Sequence, residues 1–66
     1  MTQKSFSKSD EGKAVEFTYD TGRTVHGTIL SVIEDGYRVD IKEVIDDAGN
    51  YRIQWGIPSA VVRETA

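Results

Sequence analysis

Cysteine is missing from this 66-residue chain, and proline, histidine and tryptophan occur once each. Without thiols there can be no disulfide and no thiolate metal site to supplement the core, and a single histidine makes a structural zinc site implausible. Long apolar runs are missing too. The start, Met1-Thr2-Gln3-Lys4-Ser5-Phe6-Ser7-Lys8, contains no signal-peptide core, and no later stretch approaches the ~20 apolar residues that cross a bilayer. The expectation is a cytoplasmic protein with no membrane partner. Positive charge is scarce: eight Lys and Arg against eleven Asp and Glu give a net charge of −3. That balance weighs against non-specific nucleic-acid binding, which needs clustered cations to neutralise phosphates. No run of about ten to twelve residues repeats its apolar positions with helical period, which disfavours an α/β fold.

What is present is alternation. Between Arg23 and Ile45, apolar residues fall at Val25, Ile29 and Ile33, then at Tyr37, Val39 and Ile41. This period of two predicts two long strands folded back at Glu34-Asp35-Gly36. Leu30 and Val32 are also apolar but lie on the opposite face, so the inward side of the first of these strands switches partway along. At about 3.3 Å per residue, Arg23 to Ile33 would be roughly 36 Å long if straight. A domain of this length has a radius of gyration near 11 Å. The strand must therefore bend, and Gly27 is the expected place.

Residues 1–11 are polar and aperiodic and are expected to form a flexible N-terminal tail, with at most one helical turn near Ser9-Asp10-Glu11. Residues 12–66 form the expected domain. Lys13 to Tyr19 alternates as a first strand, and Asp20-Thr21-Gly22 is a tight turn. Asp46-Asp47-Ala48-Gly49-Asn50 is a second turn, and Tyr51 to Trp55 a fourth strand with Tyr51, Ile53 and Trp55 on one face. Gly56-Ile57-Pro58-Ser59 interrupts it, because Pro58 cannot donate to a central ladder. Ala60 to Arg63 is a short fifth strand. The fold class predicted is all-β, a five-stranded, strongly bent SH3-like barrel.

Two stretches carry a resemblance. Gly12-Lys13-x-Val15, followed by Asp20-x-Gly22-Arg23-x-Val25-x-Gly27-x-Ile29, resembles the first motif of Sm-like proteins, and Gly56 to Val62 resembles the close of the second. Tudor and KOW domains share the same glycine and alternation. The resemblance implies the barrel, and it implies assembly through strand edges. It departs from the Sm-like pattern where those proteins hold RNA: the hairpin tip Glu34-Asp35-Gly36 lacks their asparagine, and Trp55-Gly56 replaces their Arg-Gly. Gly27, Asp35-Gly36-Tyr37-x-Val39 and Pro58-x-Ala60 also resemble type II dihydrofolate reductase. That family's Val-Gln-Ile-Tyr segment falls on Tyr51-Arg52-Ile53-Gln54 and its pore lysine near Phe17, and neither matches, so its activity is not carried over.

Candidate chemistry is sparse. His26 has no nucleophile or metal-ligand pattern around it and reads as a surface histidine. The acidic pairs Asp10-Glu11, Glu34-Asp35 and Asp46-Asp47 fall in turns, and Asp46 to Asn50 is too short for a calcium loop. No catalytic residue, metal or cofactor is expected. The aromatic residues are the stronger signal: Phe17 and Tyr37 are expected in the core, whereas Trp55, before its Gly-Ile-Pro turn, fits either the core or a barrel mouth. The expected function is a non-catalytic binding module that contacts a protein partner or a second copy of itself through Trp55, Tyr51, Ile57 and Pro58. The alternative is an Sm-like or KOW-like RNA-binding protein using a basic strip of Arg38, Lys42 and Arg52, and a third, lesser reading is an enzyme of the type II dihydrofolate reductase kind.

Overall fold

In a computed structural model, residues 4–65 are described, and they form an all-β structure of five antiparallel strands. The strands are β1 (Ala14–Thr18), β2 (Thr24–Ile33), β3 (Arg38–Val44), β4 (Tyr51–Pro58) and β5 (Val62–Glu64), in the sheet order β4-β3-β2-β1-β5. One sheet curls strongly around a single core, with β4 and β5 as its edges. Single turns of 3₁₀ helix precede β1 at Lys8–Asp10, join β2 to β3 at Glu34–Gly36 and join β4 to β5 at Ser59–Val61. The radius of gyration, 11.5 Å, is close to the value expected from length.

The core consists of Phe6, Val15, Phe17, Val25, Ile29, Val39, Ile41 and Val62, with Val32 and Ile57 packed against it. Alternation accounts for most of this set, and two features of β2 account for its departures. Between Ile29 and Ser31 the pairing with β3 slips by one residue, so Leu30 is extra. This bulge reverses the parity of the strand. Val32 then faces Val39 across the pair while Ile33 is 37% exposed, which is the switch of inward side expected from the apolar residues of this strand. Gly27 is needed for a different reason. A Cβ there would overlap the Lys42 carbonyl oxygen and lie 2.9 Å from Ile41 Cγ2, so the backbones of β2 and β3 come together where only glycine fits. The switch of face falls three residues beyond it.

Tyr37, expected in the core, is 46% exposed. It follows a tip in which Glu34, Asp35 and Gly36 all have positive φ, at 50°, 55° and 92°. Left-handed backbone at two non-glycine residues costs roughly 1–2 kcal/mol each. The tip is anchored by its last residue: the Gly36 carbonyl accepts from Phe6 N at 2.9 Å and from Ser59 Oγ at 2.5 Å, while the Tyr37 carbonyl accepts from Ser59 N at 2.9 Å.

The same anchor corrects the reading of residues 1–11 as a tail separate from the domain. Phe6 is 7% exposed and belongs to the core. The turn at Lys8–Asp10 is fixed by Ser7 N donating to Asp10 Oδ2 at 2.8 Å and by an ion pair from Lys13 to Asp10 at 2.8 Å. That ion pair first, and the Ser7 bond after it, hold the Asp10 carboxyl below its ordinary 3.8. Residues 1–3 of the expected tail, and residue 66 of the expected barrel, lie outside the described residues.

Candidate functional site: the outer face of β4

The turn into β4 is built on one carboxylate. Asp46 Oδ1 accepts from Ala48 N at 3.0 Å and from Asn50 N at 3.2 Å, and Oδ2 accepts from Asn50 Nδ2 at 2.8 Å. These bonds, led by the Asn50 side chain, hold its pKa below the ordinary 3.8. The loop closes through Ile45 N donating to Asn50 O at 2.8 Å. Asn50 therefore points its backbone at β3, and by alternation so do Arg52 and Gln54, which face Glu43 and Ile41. The backbone groups of Tyr51 and Ile53, and the N–H of Trp55, are left on the free edge.

Side chains follow the same register. Val44 faces Tyr51 and Lys42 faces Ile53, so Tyr51, Ile53 and, by alternation, Trp55 share the outer side of the sheet with Arg38, Asp40 and Lys42. Lys42 Nζ lies 4.7 Å from the Tyr51 ring centroid, a cation–π contact. Tyr51 is 55% exposed and Trp55 69%. Val44, which sequence reasoning did not single out, extends this apolar surface toward the turn, and Ile45 next to it is also exposed. Their signal was present as an uninterrupted Val-Ile pair ahead of the acidic turn.

Beyond Gln54 the pairing slips again, with Trp55 and Gly56 together opposite Asp40. Gly56 takes φ of 62°, the left-handed region that glycine adopts freely. Its peptide groups are held from both sides: Gly56 N donates to Asp40 Oδ1 at 2.8 Å, and Arg38 Nη1 donates to Gly56 O at 2.7 Å. Arg38 is itself paired to Glu34 at 3.2 Å. Asp40 is 8% exposed between the bulges of β2 and β4. Its carboxylate acts as a bracket for the bulge that presents Trp55.

The four expected contact residues therefore divide. Tyr51 and Trp55 lie on the outer face. Ile57, past the bulge, faces Val39 and packs half-buried against the core, and Pro58 pairs with Arg38 at the end of the strand. β4 thus continues through Gly56-Ile57-Pro58, where an interruption was expected, because the bulge absorbs the glycine and the free edge tolerates a residue without an N–H. Ile57 and Pro58 line a separate groove of about 460 Å³ with Thr18, Tyr19 and Val61. Tyr19 Oη donates to Gln54 Oε1 at 2.5 Å beside it, linking the end of β1 to β4.

The expected basic strip does not assemble. Arg52 is opposite Glu43, on the side of the sheet that carries Ile41, whereas Arg38 and Lys42 are on the other. Arg38 is engaged by Glu34 and Gly56, and Lys42 by Tyr51. His26 is exposed on β2 opposite Glu16. Among the described residues no group of three His, Cys, Asp or Glu is placed to hold a metal ion, and no helix is long and apolar enough to cross a membrane. No protein-family model, curated protein or solved structure matches the chain.

Proposed function

We propose that this chain is an SH3-like barrel of the Sm-like or Tudor-like kind that acts as a non-catalytic binding module, making protein–protein contacts through the outer face of β4. The barrel reading is supported by the strand order β4-β3-β2-β1-β5, the bent β2 and the single 3₁₀ turn between the last two strands. The observation that carries the functional reading is Trp55. It is the chain's one tryptophan, it is 69% exposed, and a bulge bracketed by Asp40 and Arg38 holds it on the same face as Tyr51. A large aromatic held outward by a buried carboxylate serves contact better than packing, and Trp and Tyr dominate the energetics of protein interfaces.

Trp55 also reports on its own surroundings. Covering it with a protein partner shifts its emission to shorter wavelength, and Trp55→Ala abolishes capture of that partner while the far-ultraviolet circular dichroism is retained. Capture that is indifferent to Trp55→Ala and Tyr51→Ala refutes the proposal. A fluorescence response to single-stranded oligonucleotides that weakens steeply with salt refutes it in favour of RNA binding.

A further inference from the structure

We propose that β4 pairs with β4 of a second copy of this chain, antiparallel about a two-fold axis at Ile53, so that the two curled sheets become one. The inference rests on the reading of β4's outer face as a protein-contact surface and names its partner.

The two edges of the sheet differ. β5 is three residues long, and the carbonyl of its first residue, Val62, accepts a hydrogen bond from Lys4 Nζ. β4 is eight residues long, and among the described residues the backbone groups of Tyr51 and Ile53 have no partner in the sheet. An uncovered edge of this length is a template for another strand. A head-to-tail ring joining β4 to β5 would need the short, capped edge, whereas a two-fold contact uses the open edge twice.

The register follows from which groups point outward. Outward residues must meet outward residues, and centring the axis on Ile53 sets Ile53 against Ile53 of the second copy and Tyr51 against its Trp55. This uses every outward group named above. Two aromatic pairs then lie on the outer side, and Arg52 faces Gln54 on the other. Moving the axis to Arg52 loses the pairing of Trp55 and sets Arg52 against itself, a like-charge pair. The bulge at Trp55-Gly56 and Pro58 limit the pairing at its far end. Two short strand edges and four aromatic side chains bury less than the ~800 Å² per partner of a standard interface, so the dimer forms and dissociates with concentration. Each copy carries a net charge of −3, and added salt strengthens the dimer by screening their repulsion.

The chain has no cysteine, so single-cysteine variants test the register directly. At the axis the Cα atoms of a hydrogen-bonded antiparallel pair are about 5.5 Å apart, within the roughly 4.4–6.8 Å that a disulfide spans. Oxidised Ile53→Cys is expected to run as a covalent dimer. Arg52→Cys and Gln54→Cys each remain monomeric alone and link when mixed. Because Ile53 is half-buried, the Arg52→Cys and Gln54→Cys mixture, which leaves Tyr51 and Trp55 in place, guards against misfolding. Linking of Arg52→Cys alone, or failure of both Ile53→Cys and the Arg52/Gln54 mixture to link, overturns the proposal. Sedimentation of the unmodified chain is expected to show mass rising with concentration and with salt. A monomer at every concentration overturns self-pairing but leaves Trp55-dependent capture of a different protein intact, so the two readings fail separately.

Discussion

β3 and β4 are neighbours in one sheet and are used in opposite ways. β3 has three consecutive buried residues, Val39, Asp40 and Ile41. β4, one residue longer, has none. Apolar content does not explain the contrast, since Tyr51, Ile53, Trp55 and Ile57 make β4 the more apolar strand. Position does. β3 is paired on both sides, and bulges in both neighbours close over its outer face at Asp40, whereas β4 is paired on one side only. Its aromatic residues are left with solvent on one side and a free backbone edge beside them. An apolar strand at an open edge is surface for association.

Truncation of adjacent strands tests this division most strongly. Ile41→Ala, at a fully buried position, is expected to lower stability by about 2–5 kcal/mol, seen as a shift of the denaturant midpoint. Trp55→Ala on the next strand is expected to change stability by no more than about 0.5 kcal/mol while removing association. Equal destabilisation by the two would show that Trp55 packs as core and would erase the contrast.

A smaller effect sharpens it at the turn joining the two strands. The Asp46 pKa is depressed in the folded chain by its bonds from Asn50 and Ala48. Its contribution is therefore present above the unfolded value, ordinarily 3.8, and is lost as pH falls through the lower folded value. The amide resonances of Ala48 and Asn50 are expected to move together in that acid range. Asp46→Asn should remove the transition there and leave the one at Ser7, whose N–H is bonded to Asp10, also depressed.

Much of this was legible in the sequence, for a physical reason. Alternation reports which side chains share a face, and it located all five strands and the inward set Val15, Phe17, Val25, Ile29, Val39 and Ile41. It fails where parity is reset. The bulge at Leu30 sent Val32 inward and Ile33 outward, and the slip at Trp55-Gly56 put Ile57 on the side opposite Tyr51. The first slip was marked by apolar Leu30 and Val32 on the opposite parity, whereas the second leaves no periodic trace. Phe6 was missed because one aromatic in a polar run has no periodicity, and its burial depends on the distant Gly36 carbonyl. Arg52 was assigned to the wrong face because that depends on the β3–β4 register, which the Asp46 loop sets.

Amide hydrogen exchange along β4 in dilute solution tests the central claim most directly, because it reads the open edge residue by residue. Arg52 and Gln54, directed at β3, are expected to exchange slowly, and Tyr51 and Ile53 rapidly, in an alternating pattern along one strand. Uniform protection of all four under dilute conditions would mean that the edge is already covered within the chain, and would contradict the assignment of β4 as its contact surface.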